Sequence, residues 1–521
     1  MNKETRELFE INSLTRSRRI KSKWRLMGRS TRSISKFARV KEGKQPPRKR
    51  QTMEDQISYL PDQILIFILS LLTMKDAART SILSSRWRDF FKSFVESRST
   101  LNFDVANMNG SDYLVGKFRN EDRELLLKQE RDKYILWVDQ NFHLHQRKKV
   151  DAVRLQFYLG EASNRHLDRW ISYALDKGVQ KLDVDLFTLD FSLANEYRYK
   201  FPCHLFAQGI GSCLKNLRLK ACILSLPPDM SGFNSLVTLA LEDLRLAQDQ
   251  VDTLLSNCSL LEWLTLKNCH CPATLNIKVS FLQLKHLNIT ACYQVKRIEI
   301  CASSLASFEY NGSRRPISFK NVPQLVRLFI GIHPPKKSDA IIYVVQEIVC
   351  QLPQLEILYL QMDMEENMLL PDNLPTFTNL KQLVLMPKGS NKSNFLGFIS
   401  LLKVFPFLQK IELHYWCLTR RGRPREMQKE ASKCPHSHLK EVNFYGFGGY
   451  PNEIEFALYL LKNATAIETM KINPNFSHYR GNNKWVANHE MAFGWTDKTR
   501  RESAYKLLCR EVPHGAQLVV L

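Results

Sequence analysis

The sequence predicts an α/β chain: a short all-helical module followed by a solenoid whose strands form a parallel β-sheet on its concave face. Three observations predict it. The pattern L-x-x-L-x-L, with other apolar residues allowed, starts thirteen times between Val150 and Ile467, at a mean spacing of about 26 residues. The run LPDQILIFILSLL (Leu60–Leu72) is apolar at every position from Ile64 to Leu72 except Ser70, and two helix-sized segments follow it. Between the first two pattern starts, HLDRWISYALDKG sets Leu167, Trp170, Ile171, Ala174 and Leu175 at helical spacing, with Gly178 as the stop.

Residues 1–52 read as a basic tail. Of the net charge of +23, residues 1–50 contribute 17 Lys/Arg against 4 Asp/Glu, so the rest of the chain is close to an ordinary balance. Charge without any apolar period predicts disorder. PPRKR (Pro46–Arg50) has the composition of a nuclear import signal. A solvated arm is the alternative, and the acid-free, Arg/Ser-rich stretch 11–40 also has the character of a transit peptide. Met53 is a candidate start codon, since everything foldable lies after it. No apolar h-region marks a secretory signal. The twelve cysteines, all after residue 202, are therefore expected as reduced thiols, and the expected location is nucleus and/or cytoplasm. No membrane partner is expected either, because Ile64–Leu72 is far shorter than the roughly 20 residues a spanning helix takes.

From Met53 to about Phe94 the pattern predicts three short helices: one opened by Pro61, then AARTSILSS, then RWRDFFKSF. The first is apolar nearly all round, so both faces need cover. Some forty residues rarely build a stable core alone, which predicts one face packed within the module and the other on a second protein. These residues resemble the F-box of plant F-box proteins. The matching elements are Asp55-Gln56-Ile57-Ser58, Leu60-Pro61-Asp62, Ile68-Leu69-Ser70, Arg79-Thr80-Ser81 and Leu83-Ser84-Ser85-Arg86-Trp87-Arg88. Thr73-Met74 stands where Pro-Thr is usual, and Phe91 where Trp is common. The resemblance implies docking onto a Skp-type adaptor and, through it, a cullin-based ubiquitin ligase. The adaptor-binding residues expected from it are Leu60, Pro61, Ile64, Ile68, Leu72, Arg86 and Trp87.

The thirteen starts are Val150, Val179, Leu214, Leu236, Leu261, Leu284, Leu305, Leu325, Leu355, Leu380, Leu408, Leu439 and Ile467. Their period is that of leucine-rich repeats, in which each unit covers its neighbour's apolar face. In LKNLRLKAC, LEWLTLKNC and LKHLNITAC the second and third apolar positions point inward from a short strand and the flanking residues outward. Cys222, Cys269 and Cys292 fall at the ninth position, where a side chain caps the turn. With Cys271 they match no zinc-finger spacing, and no metal is expected. The helix at 167–175 and FPCHLF (201–206) resemble the region after the F-box in plant F-box/leucine-rich-repeat proteins. HLKEVNFYGFGGYPNEIEFALYLLKNATAIETMKI (438–472) resembles their FBD module, and RESAYKLLCREVPHGAQLVVL their usual C-terminal end. The expected division is 1–52 tail, 53–97 F-box, 98–148 connector, 149–435 solenoid, 436–475 FBD-like last repeats and 476–521 cap.

No Walker loop, G-x-S-x-G or H-E-x-x-H is present, so neither catalysis nor a cofactor is expected. On the outward strand positions, Arg154, Lys181, Arg218, Lys220, Lys267, Arg327, Lys410 and Lys471 stand against Asp183, Asp185, Glu242, Glu309, Glu412 and Glu441. A groove that tracks a nucleic-acid backbone should be predominantly basic, and this face is mixed. The function expected is substrate recognition for a Skp–cullin–F-box ligase, with an unknown target protein on the solenoid. Two alternatives stay open. One is a nuclear nucleic-acid-associated protein using the tail and Arg421-Gly422-Arg423-Pro424, which has the core of a minor-groove hook; the other is a non-degradative F-box scaffold. The target face is expected at Trp263, Arg327, Phe329 and Tyr359, because outward aromatics and arginines concentrate binding energy.

Overall fold

The computed structural model describes residues 60–96, 98–109, 123–145, 147–186, 198–227, 231–279, 283–333, 339–364, 374–390, 393–419, 434–481, 484–488 and 498–521. The basic tail and the RGRP stretch lie outside the described residues. The described chain divides into two compact units. The first runs to Leu205 and includes Arg218–Ile223; the second comprises Phe206–Leu217 and Leu224–Leu521.

The first unit opens with three helices, α1 (Asp62–Leu71), α2 (Met74–Thr80) and α3 (Ser85–Glu96). Thr73 caps α2 by accepting from the Asp76 N–H at 3.1 Å, and Met74 is buried, so Thr73-Met74 is accommodated where Pro-Thr is usual. The second helix is shorter than AARTSILSS suggests. It stops at Thr80, and successive i→i−3 bonds from Ser81, Ile82 and Leu83 tighten the exit into a turn. Leu65, Leu69, Met74, Ala77, Trp87, Phe94 and Val95 form the core, and Phe91 packs against it.

The segment expected as a connector is part of this unit. Thr100–Asp104 is a strand, pairing parallel with Ala152–Gln156, which in turn pairs with Lys181–Asp185. The helix Arg123–Leu144 sends Trp137 against the three-helix core and Tyr134 to the Phe103 carbonyl at 2.7 Å. Asn107 receives the Met74 N–H at 3.1 Å. Part of the cover that forty residues cannot supply therefore comes from the chain itself. The helix Asn164–Asp176 buries Leu167, Trp170, Ile171, Ala174 and Leu175, and Gly178 follows it in the left-handed region at φ 66°, as the apolar spacing predicts.

In the second unit, eleven strands run parallel in chain order: Thr238–Glu242, Trp263–Lys267, His286–Thr290, Ser307–Ser313, Arg327–His333, Ile357–Asp363, Gln382–Ser390, Lys410–His414, Glu441–Tyr445, Thr469–Asn473 and Gln517–Val520. Their inward residues are those the repeat pattern names: Leu239 and Leu241, Leu264 and Leu266, and so on to Met470 and Ile472, all buried. Several early repeats leave their strand through a left-handed residue, Asp243, Asn268 or Ala291. The thiol that follows caps the turn in two of them: Cys269 reaches the Leu241 carbonyl at 3.3 Å, and Cys292 the Leu266 carbonyl at 3.6 Å. Among the described residues no cluster has the make-up of a metal site.

The glycine-rich turn before helix Pro451–Asn463 is held by a buried carboxylate: Glu453 accepts from the N–H groups of Gly448 and Tyr450, each at 2.9 Å. A Cβ on Gly446, at φ +77°, would meet the Tyr415 carbonyl at 2.6 Å. A two-stranded antiparallel hairpin, Phe476–Tyr479 with Trp485–Asn488, follows. The cap then supplies a helix (Lys498–Cys509) and the final strand.

Candidate interaction sites

The first candidate surface lies on the three-helix module. In α1, Leu65 and Leu69 face the core, while Ile64, Ile66, Phe67 and Leu71 are exposed, Phe67 to 59% and Leu71 to 69%. Ile82 and Leu83, in the turn after α2, are exposed to 81% and 63%. Six large apolar side chains open to water within twenty residues are costly unless a partner covers them.

The residues expected to meet the adaptor divide accordingly. Pro61 and Ile64 are exposed. Leu60, Ile68 and Leu72 are half-buried against the module's own core. Trp87 needs correction: it is buried at 3% exposure, so its ring builds the module rather than a docking surface. Arg86 is also committed within the module, donating to the Leu60 carbonyl at 3.1 Å and to Asp62 at 2.9 Å, where it ties α3 to the start of α1. Phe67, Leu71, Ile82 and Leu83 were not anticipated. A helix that is apolar all round gives no phase, and only the turn at residues 81–84 turns Ile82 and Leu83 outward.

The second candidate surface is the concave face of the sheet. Its charges largely neutralise one another. In the first unit Arg154 lies near Asp104 and Asp183, Arg218 pairs with Asp183 at 2.9 Å, and Lys220 lies 3.5 Å from Asp185. In the second, Lys267 pairs with Glu242, and Lys410 with Glu412 and Glu441. Such pairs leave little positive field for a phosphate backbone. Arg327 differs in having no ion pair among the described residues, and its buried Nε has no hydrogen-bond partner there either. In register with it, two and three strands away, His286 and Trp263 stack with ring centroids 3.5 Å apart. Both rings are half-buried. Burial, and then the neighbouring Arg327 charge, hold the His286 imidazole below its usual pKa.

Phe329 and Tyr359 are not open to water as expected. They are 4% and 8% exposed, because the hairpin lies over them. Tyr479 stacks on Phe329 at 4.8 Å and on Tyr359 at 5.6 Å, and its hydroxyl donates to Glu309. Trp485 stacks on His414 at 3.9 Å, whose Nδ1 lies 3.3 Å from the Ser477 carbonyl. Burial lowers the pKa of His414 despite the adjacent Glu412. Tyr479 lies 170 positions from Glu309, a distance no repeat pattern spans.

Comparison with known proteins matches both modules of the chain. An F-box domain matches residues 57–97, and the domain described as At1g61320/AtMIF1, LRR domain, matches residues 142–509. The chain belongs to the F-box/leucine-rich-repeat family. Similar proteins of Arabidopsis thaliana include F-box/FBD/LRR-repeat protein At3g26920, 26% identical over 81% of this chain and 91% of the relative. F-box/LRR-repeat protein At3g58900 is 32% identical over 49% of this chain and 72% of the relative. Both relatives are named for an F-box and leucine-rich repeats, and the first also for an FBD. No helix among the described residues is long and apolar enough to cross a membrane.

Proposed function

We propose that this chain is the substrate-recognition subunit of a Skp–cullin–F-box type ubiquitin ligase. The F-box docks a Skp-type adaptor, and the solenoid holds a target protein. The observation that carries the reading is the exposed apolar set Ile64, Phe67, Leu71, Ile82 and Leu83 on a module that otherwise has a closed core. The chain supplies no bond-making group. It acts by proximity, since tethering a target beside a charged ubiquitin carrier raises the effective concentration of its lysines. On the target side, Trp263 and Arg327 are the residues proposed to stay available, one as an apolar platform and the other as an anchor for an acidic side chain. The test uses purified Skp-type adaptor. The wild-type chain should form a stable complex, and Phe67→Asp with Leu71→Asp should abolish it while the thermal transition of the solenoid is unchanged. Undiminished adaptor binding by that variant rejects the reading.

A further inference from the structure

The hairpin lies across one row of the sheet face. Glu309, Phe329, Tyr359, Val384 and Glu412 are register partners on five adjacent strands, a row spanning about 19 Å at the usual strand spacing. It has an apolar centre and a carboxylate at each end. Phe329, Tyr359, Val384 and Met386 form one buried cluster, and from above it is covered by Tyr479 and Trp485. These two rings are cross-strand partners in the hairpin and meet edge to face at 5.2 Å. Glu309, 7% exposed, takes both the Tyr479 hydroxyl and the Asn288 amide. At the hairpin turn Gly481, at φ +84°, comes so close that a Cβ would sit 3.2 Å from Glu309 and 3.3 Å from Asn288.

The occupant is a small element. A two-stranded hairpin has marginal stability of its own, and this one leaves Lys484 and Val486 exposed. Its hold rests on the rings of Phe476, Tyr479 and Trp485, the Tyr479 hydroxyl on Glu309, the Ser477 carbonyl beside His414 and one close-approaching turn. A buried carboxylate beside an aromatic platform is an expensive feature for a face that needed only cover. It is a selective feature for a face that must receive a phenol.

We propose that this row is a clamp for a target segment bearing an unmodified tyrosine and a neighbouring aromatic, and that the hairpin is its internal stand-in. The proposal rests on the reading of the solenoid as the target-holding part. The target tyrosine stacks on Phe329 and Tyr359 and donates to Glu309, and its partner ring takes the place of Trp485 on His414. A phosphate on that tyrosine brings negative charge against Glu309 and is rejected. The hairpin, tethered at a millimolar effective concentration, competes with the target and sets a threshold for capture.

The test uses the full chain and a fluorescent peptide of the sequence Asn475–Asn488, with its tyrosine either free or phosphorylated. Tyr479→Ala with Trp485→Ala vacates the clamp. The opened chain should bind the free peptide at least tenfold more tightly than the wild-type chain does, and the phosphorylated peptide at least tenfold more weakly than the free one. Adding Glu309→Gln should narrow the gap between the two peptides. Equal binding by the wild-type and opened chains, no binding by an opened chain with a native-like thermal transition, or indifference to phosphorylation would each overturn the proposal. If the double variant does not fold, Gly481→Val, which leaves both rings in place and drives the turn off Glu309 and Asn288, is read in the same way. Adaptor binding is scored separately on the same proteins, so a failure of the F-box reading and a failure of the clamp are told apart.

Discussion

The F-box helix and the concave face present the same problem in two forms. Each carries more large apolar side chains than its own layer can bury. On α1 the excess, Phe67 and Leu71 together with Ile82 and Leu83 of the following turn, stands in water. On the sheet, Phe329 and Tyr359 lie under a hairpin contributed by the chain itself. The difference separates two kinds of interaction surface. Among the described residues the exposed set has no internal competitor, so its partner should bind as soon as they meet. The covered set already holds an occupant, and a partner must better it.

The largest effect that sharpens this comparison is expected on the open side. Phe67→Asp with Leu71→Asp places two charges where apolar area should be buried, and each buried residue of that size contributes about 1.5–3 kcal/mol. Adaptor affinity, read by isothermal titration or pull-down, should fall by at least about 100-fold, with folding intact. Trp87→Ala should also stop adaptor binding, but through the core. Removing a buried Trp costs about 3–5 kcal/mol, enough to melt a small module, and hydrogen exchange across α1 and α3 should become fast. If Trp87→Ala leaves that exchange slow yet abolishes binding, the ring is a contact after all. On the covered side, Tyr479→Ala alone should lower stability by only about 1–3 kcal/mol, because the repeats beneath keep their own pairing.

These contrasts also explain what could be read before the structure. Every one of the thirteen pattern starts precedes a strand two residues later, because a repeat that buries its neighbour forces the same two apolar positions inward each time. Two elements carried no such signature. Thr100–Asp104 lies outside the repeat period, and its pairing with Ala152–Gln156 depends on the helix that brings Tyr134 and Trp137 back onto it. The hairpin was equally silent, since Tyr479 and Trp485 sit in a polar stretch with no apolar alternation strong enough to mark a buried surface. The pairing at Arg218 was hidden for a related reason. Counting outward charges shows their number but not that Arg218 lies between Asp183 and Asp185. Arg327 has no such neutralising pair among the described residues. The F-box side was readable as a module and unreadable in phase, as Trp87 and Phe67 show from opposite directions.

The smallest expected effect concerns acidity on the covered side. Burial, followed by the Arg480 and Lys388 charges, holds His478 down from 6.5 to about 4. Burial also lowers His414, against the opposing pull of Glu412. The groups facing His414 are Glu412, the Ser477 carbonyl and the rings of Tyr445 and Trp485. Both imidazoles are neutral when the hairpin is seated. Once released or unfolded, they bind protons near 6.5, so the loosened state takes up more protons between about 6.5 and about 4. Seating is therefore complete above about 6.5 and weakens as pH falls toward about 4, the value to which His478 is lowered. Tryptophan fluorescence of Trp485, compared between the wild-type chain and Trp485→Phe, should report that loosening across the window. His478→Gln should flatten the part of the change that belongs to His478. A signal unchanged from pH 7 to pH 4.5 would mean that the hairpin is bound too firmly for protonation to move it. The contrast between an open F-box surface and an exchangeable concave one would then have to be redrawn.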